Sequence, residues 1–230
     1  MRFDEYRRFD GVGLAAEVAA GHVTAAELLQ VALDRCAEVN PRFNAVVVPM
    51  EAIARERAEA PLQGPFAGVP FLIKDIVQDY AGVRSTAGAV AFRDRLAPAH
   101  AHMVERWLDA GLVIFGKTAT PELALKGYTE TTLFGATRNP WDAERTPGGS
   151  SGGAAAAVAA GLCSGAIGTD TGGSVRVPAA WCGIAGLKPT YGRVPHVPVS
   201  NTDYAAYIGP MTRPVADAAA MLKGMAGPHP

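Results

Sequence analysis

Two serines and one lysine stand out by their surroundings. Ser150 lies in Pro147-Gly-Gly-Ser-Ser-Gly-Gly153, Ser174 lies in Gly172-Gly-Ser-Val-Arg176, and Lys74 ends the apolar run Val69-Pro-Phe-Leu-Ile73. A glycine-rich turn leaves backbone N–H groups free to point into a cavity, because no side chain blocks approach and positive φ is allowed. Such a turn can hold an anion, either a phosphate or the oxyanion of an acyl-transfer intermediate.

The phosphate reading fails on spacing. Gly148-Gly-Ser-Ser-Gly-Gly153 lacks the Lys-Ser/Thr ending of a P-loop and the G-x-G-x-x-G of a dinucleotide site. For acyl transfer, Gly149-Ser-Ser-Gly-Gly153 has the form G-x-S-x-G with Ser151 at its centre, which suggests a nucleophile elbow. That elbow needs an acid and then a histidine downstream. After residue 153 the histidines are His196 and His229, and His229 is one residue from the end of the chain, a poor place for a general base.

Without histidine, lysine is the usual substitute base. A free lysine near pKa ~10.4 is protonated, whereas desolvation or a cationic neighbour lowers it by several units. The apolar run before Lys74 could carry it into a dry site. Taken alone, Lys74 beside Asp75 reads first as a surface ion pair with a snorkelling lysine.

The elements that must position these residues come from a chain of 230 residues, 49% hydrophobic, with net charge −1. That suffices for the core of one domain, or two at most. Acids and bases are mixed along the sequence, so there is no electrostatic footprint for nucleic acid or an anionic membrane. The start, MRFDEYRRFDG, fits neither a secretory signal nor a transit peptide. The 24 uncharged residues from Thr146 to Thr169 hold seven glycines and are otherwise mostly Ala and Ser, too weakly hydrophobic for a membrane span.

Cys36, Cys163 and Cys182 have no metal-type spacing and read as reduced thiols of a cytoplasmic protein. His100 and His102 read as surface or helix-entry residues, and neither a metal nor a cofactor is expected. Twelve of the 26 glycines fall between Gly148 and Gly192, around the two serines.

Thr24-Ala-Ala-Glu27 is a capping box, and the spacing of Leu29, Ala32, Leu33 and Cys36 predicts a helix over 24–38. A shorter helix around 12–20 precedes it, ended by Gly21. Ala45–Pro49 and Leu112–Phe115 read as strands, the second entered from a helix near 100–110 that Gly111 stops. Ala154–Ala160 reads as an alanine-rich helix, and Cys163–Gly168 as a strand running into Asp170-Thr-Gly-Gly-Ser174. Helices alternating with short apolar strands argue an α/β architecture with a buried sheet.

Six segments in order closely resemble the amidase signature family of serine hydrolases. They are Gly68-Val-Pro-Phe-Leu-Ile-Lys-Asp75, Gly116-Lys-Thr-Ala-Thr-Pro-Glu122, Gly135-Ala-Thr-Arg-Asn-Pro-Trp141, Pro147–Gly153, Gly168-Thr-Asp-Thr-Gly-Gly-Ser-Val-Arg-Val-Pro178 and Gly183-Ile-Ala-Gly-Leu-Lys-Pro-Thr190. The likeness runs from about residue 12 to Gly227. It implies a mixed β-sheet flanked by helices, a single domain over 1–230 with a mostly helical lead-in over 1–60 and a signature core over 61–230.

The resemblance also implies a Ser-cis-Ser-Lys triad, with Ser174 the nucleophile, Ser150 the bridging serine after a cis Gly149–Ser150 peptide, and Lys74 the base. It reverses the surface-pair reading of Lys74. The oxyanion would sit on the N–H groups of Thr171, Gly172, Gly173 and Ser174, with Ser151, Asp170 and Arg176 in support. The implied reaction is hydrolysis of a carboxylic amide through an acyl-enzyme.

Family members are about twice as long, so the chain reads as the N-terminal half of the fold. A truncated or processed chain is the favoured explanation, with a split protein and an inactive remnant as the others. The implied partners are a small-molecule amide and either a second copy or a second polypeptide that completes the fold; nucleic acid is not bound directly, nor is a membrane. The style of Phe66–Pro70 and Gly135–Trp141 resembles bacterial members acting on aliphatic or cyclic amide oligomers such as 6-aminohexanoate dimers. The amidotransferase component that modifies glutamyl-tRNA shares the same motifs, which leaves a partner-dependent role as the alternative.

Overall fold

In a computed structural model, residues 1–197 and 206–228 are described. His229 lies outside them. The N-terminal helices are α1 (Phe3–Tyr6), α2 (Gly11–Ala19) and α3 (Ala25–Phe43). The α2 N-terminus is capped twice: Asp10 accepts from Gly13 N–H at 2.7 Å, and Asp217 accepts from Gly11 N–H at 2.7 Å. In α3 the predicted capping box forms, with Glu27 accepting from Thr24 N–H and Thr24 from Glu27 N–H.

The α3 helix runs five residues past the predicted end, through Pro41, to Asn44 in the left-handed region. Asn40 explains the exit. Its side-chain oxygen accepts from the N–H groups of Ala45 and Val46 at 2.8 Å each, tying the helix end to the strand that follows.

That strand is β1 (Val46–Pro49), followed by α4 (Glu51–Glu59), β2 (Pro70–Lys74), α5 (His102–Asp109) and β3 (Val113–Thr118). A small ribbon, β4 (Glu130–Thr131) with β5 (Gly135–Ala136), comes next. Then follow α6 (Gly152–Ala159), β6 (Gly165–Asp170), α7 (Arg176–Cys182), β7 (Ala185–Gly186), β8 (Tyr207–Thr212) and α8 (Val215–Met225).

Six strands form one sheet in the order β1-β3-β2-β6-β8-β7. The central β3, β2 and β6 are parallel, and the β1, β8 and β7 pairings are antiparallel. The result is a mixed α/β sheet covered on both faces. Phe71 and Ile73 of β2 join Leu14, Trp107, Ile167 and Met221 in one buried cluster, while Leu72 joins Leu29, Ala155, Phe115 and Ala166 in the other. This two-residue alternation assigns each side chain at the end of β2 to a face.

Every residue of β2, β3 and β6 is buried, which is why these strands read as continuous apolar runs rather than as alternating ones. Among the described residues no helix is long and apolar enough to cross a membrane. All three cysteines are free thiols.

Candidate active site

Lys74 is the last residue of the fully buried β2 and is itself wholly buried. It follows Leu72 by two positions, toward the α6 side of the sheet. Its Nζ donates to Ser150 Oγ at 2.7 Å and to Thr169 Oγ1 at 2.9 Å. Burial pushes its pKa down to about 7, with the Asp170 carboxylate opposing that shift. Neither Lys74 nor Asp75 lies at the surface, so the snorkelling ion pair is not what forms.

Ser150 and Ser151 sit where the glycine loop enters α6. The Gly149–Ser150 peptide is cis, and both serines are buried. Ser151 precedes α6 and knits three segments together. Its Oγ donates to Thr169 C=O and accepts from Thr169 N–H, both at 3.2 Å, and its own N–H donates to Ser174 C=O at 3.1 Å. The Ser151 hydroxyl is thereby engaged as donor and as acceptor at the end of β6.

Asp170 organises the second glycine turn from its base at the end of β6. Its carboxylate accepts from Gly173 N–H at 2.7 Å and Val175 N–H at 3.0 Å, and it takes a two-pronged contact from Arg176 Nε and Nη2 at 3.0 and 2.9 Å. Burial raises this carboxyl, but the Arg176 guanidinium and the turn's N–H groups outweigh it and hold the pKa at about 2. Asp170 is thereby a turn-shaping anion. Gly173, at φ +117°, takes a conformation that side-chain-bearing residues rarely adopt.

The turn differs from expectation at one donor. The Gly173 N–H is committed to Asp170 and does not face the cavity as a free donor. Among the described residues, the N–H groups of Thr171, Gly172 and Ser174 make no hydrogen bond.

Ser174 is half-buried and lines a cavity of about 660 Å³ together with Gly149, Thr169, Thr171 and Gly172. Aliphatic residues Ile76, Val77, Leu123, Leu125 and Val177 supply much of the remaining wall. Lys74 and Ser150 are thus in direct contact, while Ser174 lines the cavity beside Thr169, the other hydrogen-bond partner of Lys74, and its backbone carbonyl accepts from Ser151 N–H. Thr169 is the polar contact of Lys74 that sequence reasoning missed. Its signal was a hydroxyl at the end of a buried strand feeding the glycine turn. His102 opens α5 and His100 packs edge-on against Tyr80 at 4.5 Å, away from the cavity lining.

With this geometry, the chain belongs to the amidase family, whose model, Amidase, matches residues 27–230. The 6-aminohexanoate-cyclic-dimer hydrolase of Paenarthrobacter ureafaciens is 42% identical over 227 residues, covering 96% of this chain and 46% of that protein. One component of the glutamyl-tRNA(Gln) amidotransferase of Syntrophobacter fumaroxidans is 44% identical over 209 residues, covering 87% of this chain and 43% of its own length. Among solved structures, 6-aminohexanoate cyclic dimer hydrolase complexed with substrate superposes with a TM-score of 0.94 at 42% identity, covering 96% of this chain and 47% of that one. The chain spans about half the length of the relatives it matches.

Proposed function

We propose that this chain carries the catalytic residues of an amide hydrolase that works through a serine acyl-enzyme. The observation that supports this most is the buried Lys74 Nζ, with a pKa near neutrality, 2.7 Å from Ser150 Oγ. When Lys74 is neutral its lone pair accepts the Ser150 proton, Ser150 Oγ takes the proton of Ser174, and Ser174 Oγ attacks the amide carbonyl. The tetrahedral oxyanion is met by N–H groups of Thr171, Gly172 and Ser174. The proton returns through Ser150 to the departing amine, leaving an ester on Ser174. Water then attacks that ester through the same relay and releases the carboxylic acid.

The aliphatic cavity wall favours amides with an apolar acyl chain, a class to which the substrate of the 6-aminohexanoate-cyclic-dimer hydrolase belongs. Steady-state hydrolysis of 6-aminohexanoate cyclic dimer and simple aliphatic amides tests the reading. Lys74→Ala, Ser150→Ala and Ser174→Ala are each expected to lower kcat by about 10²–10⁴-fold or more with the urea unfolding midpoint retained or raised. Undiminished turnover in Ser174→Ala would overturn it.

A second reading, in which the 230 residues form one domain that acts only when completed, is supported by the exposure of the cavity wall. Leu123 is 44% and Leu125 75% exposed. The completing piece would be a second polypeptide or the remainder of a longer chain. Turnover by the chain alone, equal to that of a full-length relative, would count against this second reading.

A further inference from the structure

Behind the lysine–serine pair, on the opposite side of β2, lies a second buried lysine that the mechanism does not use. Register pairs Ile73 with Lys117 and Lys74 with Thr118, so Lys117 projects on the face of Ile73, away from Lys74. Lys117 is wholly buried, and its Nζ lies 3.9 Å from Asp75 Oδ1, also wholly buried. Asp75 accepts from Thr86 N–H at 3.1 Å and from the Thr86 hydroxyl.

The backbone of Asp75 is held just as firmly. Its N–H donates to Thr118 C=O at 3.1 Å, and its C=O accepts from Ala87 N–H at 2.9 Å. Gln78 Oε1 accepts the Lys74 N–H at 3.1 Å. The strand end that carries Lys74 is therefore gripped from β3 by Thr118 and Lys117 and from the following loop by Thr86, Ala87 and Gln78.

We propose that Lys117 is a positioning residue: through its ion pair with Asp75 it clamps the end of β2 and so sets the place of Lys74 against Ser150. This rests on the function proposed above. The other charged groups facing the pair are Asp79 and Arg95, themselves joined at 2.7 Å, and the charged group facing Lys74 is Asp170. The formal charges of Lys117, Asp75, Asp79 and Arg95 cancel, and among the described residues Lys117 Nζ makes no hydrogen bond and has Asp75 as its one ion-pair partner. A displacement of about 1 Å at a reacting group costs as much as about 10²-fold in rate, so a clamp on the base is worth keeping even where it touches no substrate.

The test compares Lys117→Met, Lys117→Arg and the double variant Lys117→Met/Asp75→Asn, which removes both charges and leaves none bare in the interior. Two readouts are taken: kcat and KM for amide hydrolysis, and the titration of Lys74 followed by NMR of isotope-labelled lysine. The clamp requires kcat to fall roughly tenfold to a hundredfold in Lys117→Met and in the double variant, with KM within about twofold. It also requires the Lys74 midpoint to move up from about 7 as the loosened side chain gains water, and Lys117→Arg to restore both. Parental kcat and parental Lys74 titration in the folded double variant overturn the proposal, because the pair would then matter only for satisfying buried charge. If Lys117→Met alone fails to fold, the double variant decides. The titration reads the clamp even where no amide turns over, so failure of the proposed function and failure of the clamp give different results.

Discussion

The proposed role of Lys74 as a base comes from where the lysine is, not from what it is. An ammonium buried without a carboxylate in contact is costly, and the chain relieves that cost by letting the proton go near neutrality. Amide turnover should therefore rise as pH climbs through about 7, with an acid limb lost in Lys74 variants, a pH–rate profile being the check.

Stability should show the same group. Lys74 binds its proton up to about pH 7 when folded and up to about 10.5 when unfolded, so between those values the unfolded chain holds more protons and unfolding becomes harder as pH rises. The urea midpoint is expected to climb from pH 7 toward 10, and the Lys74→Met variant to lose that slope while gaining stability below pH 7. The residue itself was legible in the sequence as a lysine closing an apolar run. Its burial was not, because Lys-Asp adjacency is equally the pattern of a surface pair; only the strands on either side of β2 remove the water.

At the scale of elements, the glycine turn between β6 and α7 is shaped by one carboxylate. Asp170 should be ionised throughout the ordinary pH range, and its contribution to stability should be complete above about pH 4 and lost as pH falls toward 2. Asp170→Asn weakens the Arg176 contact and several turn N–H bonds together, an expected loss of about 2–3 kcal/mol in denaturant unfolding.

The close approach at the start of α6 makes a second test. A Cβ on Gly153 would lie 2.3 Å from Ala119 N and 2.8 Å from Ala45 C=O, backbone that has no room to give. Gly153→Ala is expected to cost about 1–3 kcal/mol or more, read as a lowered Tm. Turn chemistry and capping made α2, α3, α5, α6 and β6 readable, since a capping box or a glycine stop is a local signal. Among the elements that escaped, α4, α7 and β8 are held by tertiary contacts instead. In α4 only Ala54 and Ala58 are buried, and β8 gains its place by pairing with β6 along six residues.

For the whole molecule, the sheet brings together residues 76 and 95 positions apart in sequence, Lys74 with Ser150 and Thr169. Spacing along the chain holds no such distance information; the ordered motifs and their family likeness did. What joins them is topology: β2 and β6 are parallel neighbours, so both of their carboxyl ends, and the turns that follow, open on one edge of the sheet. The cavity lies at that edge with an aliphatic, partly exposed wall.

The most direct measurement is labelling with a fluorophosphonate followed by peptide mapping, using an active preparation and its Lys74→Ala counterpart. The adduct is expected on Ser174, formed faster as pH rises through about 7, and slowed by about 10²-fold or more without Lys74. An active preparation with no adduct on Ser174, or with the adduct on Ser151, would contradict Ser174 as the nucleophile and Lys74 as its base.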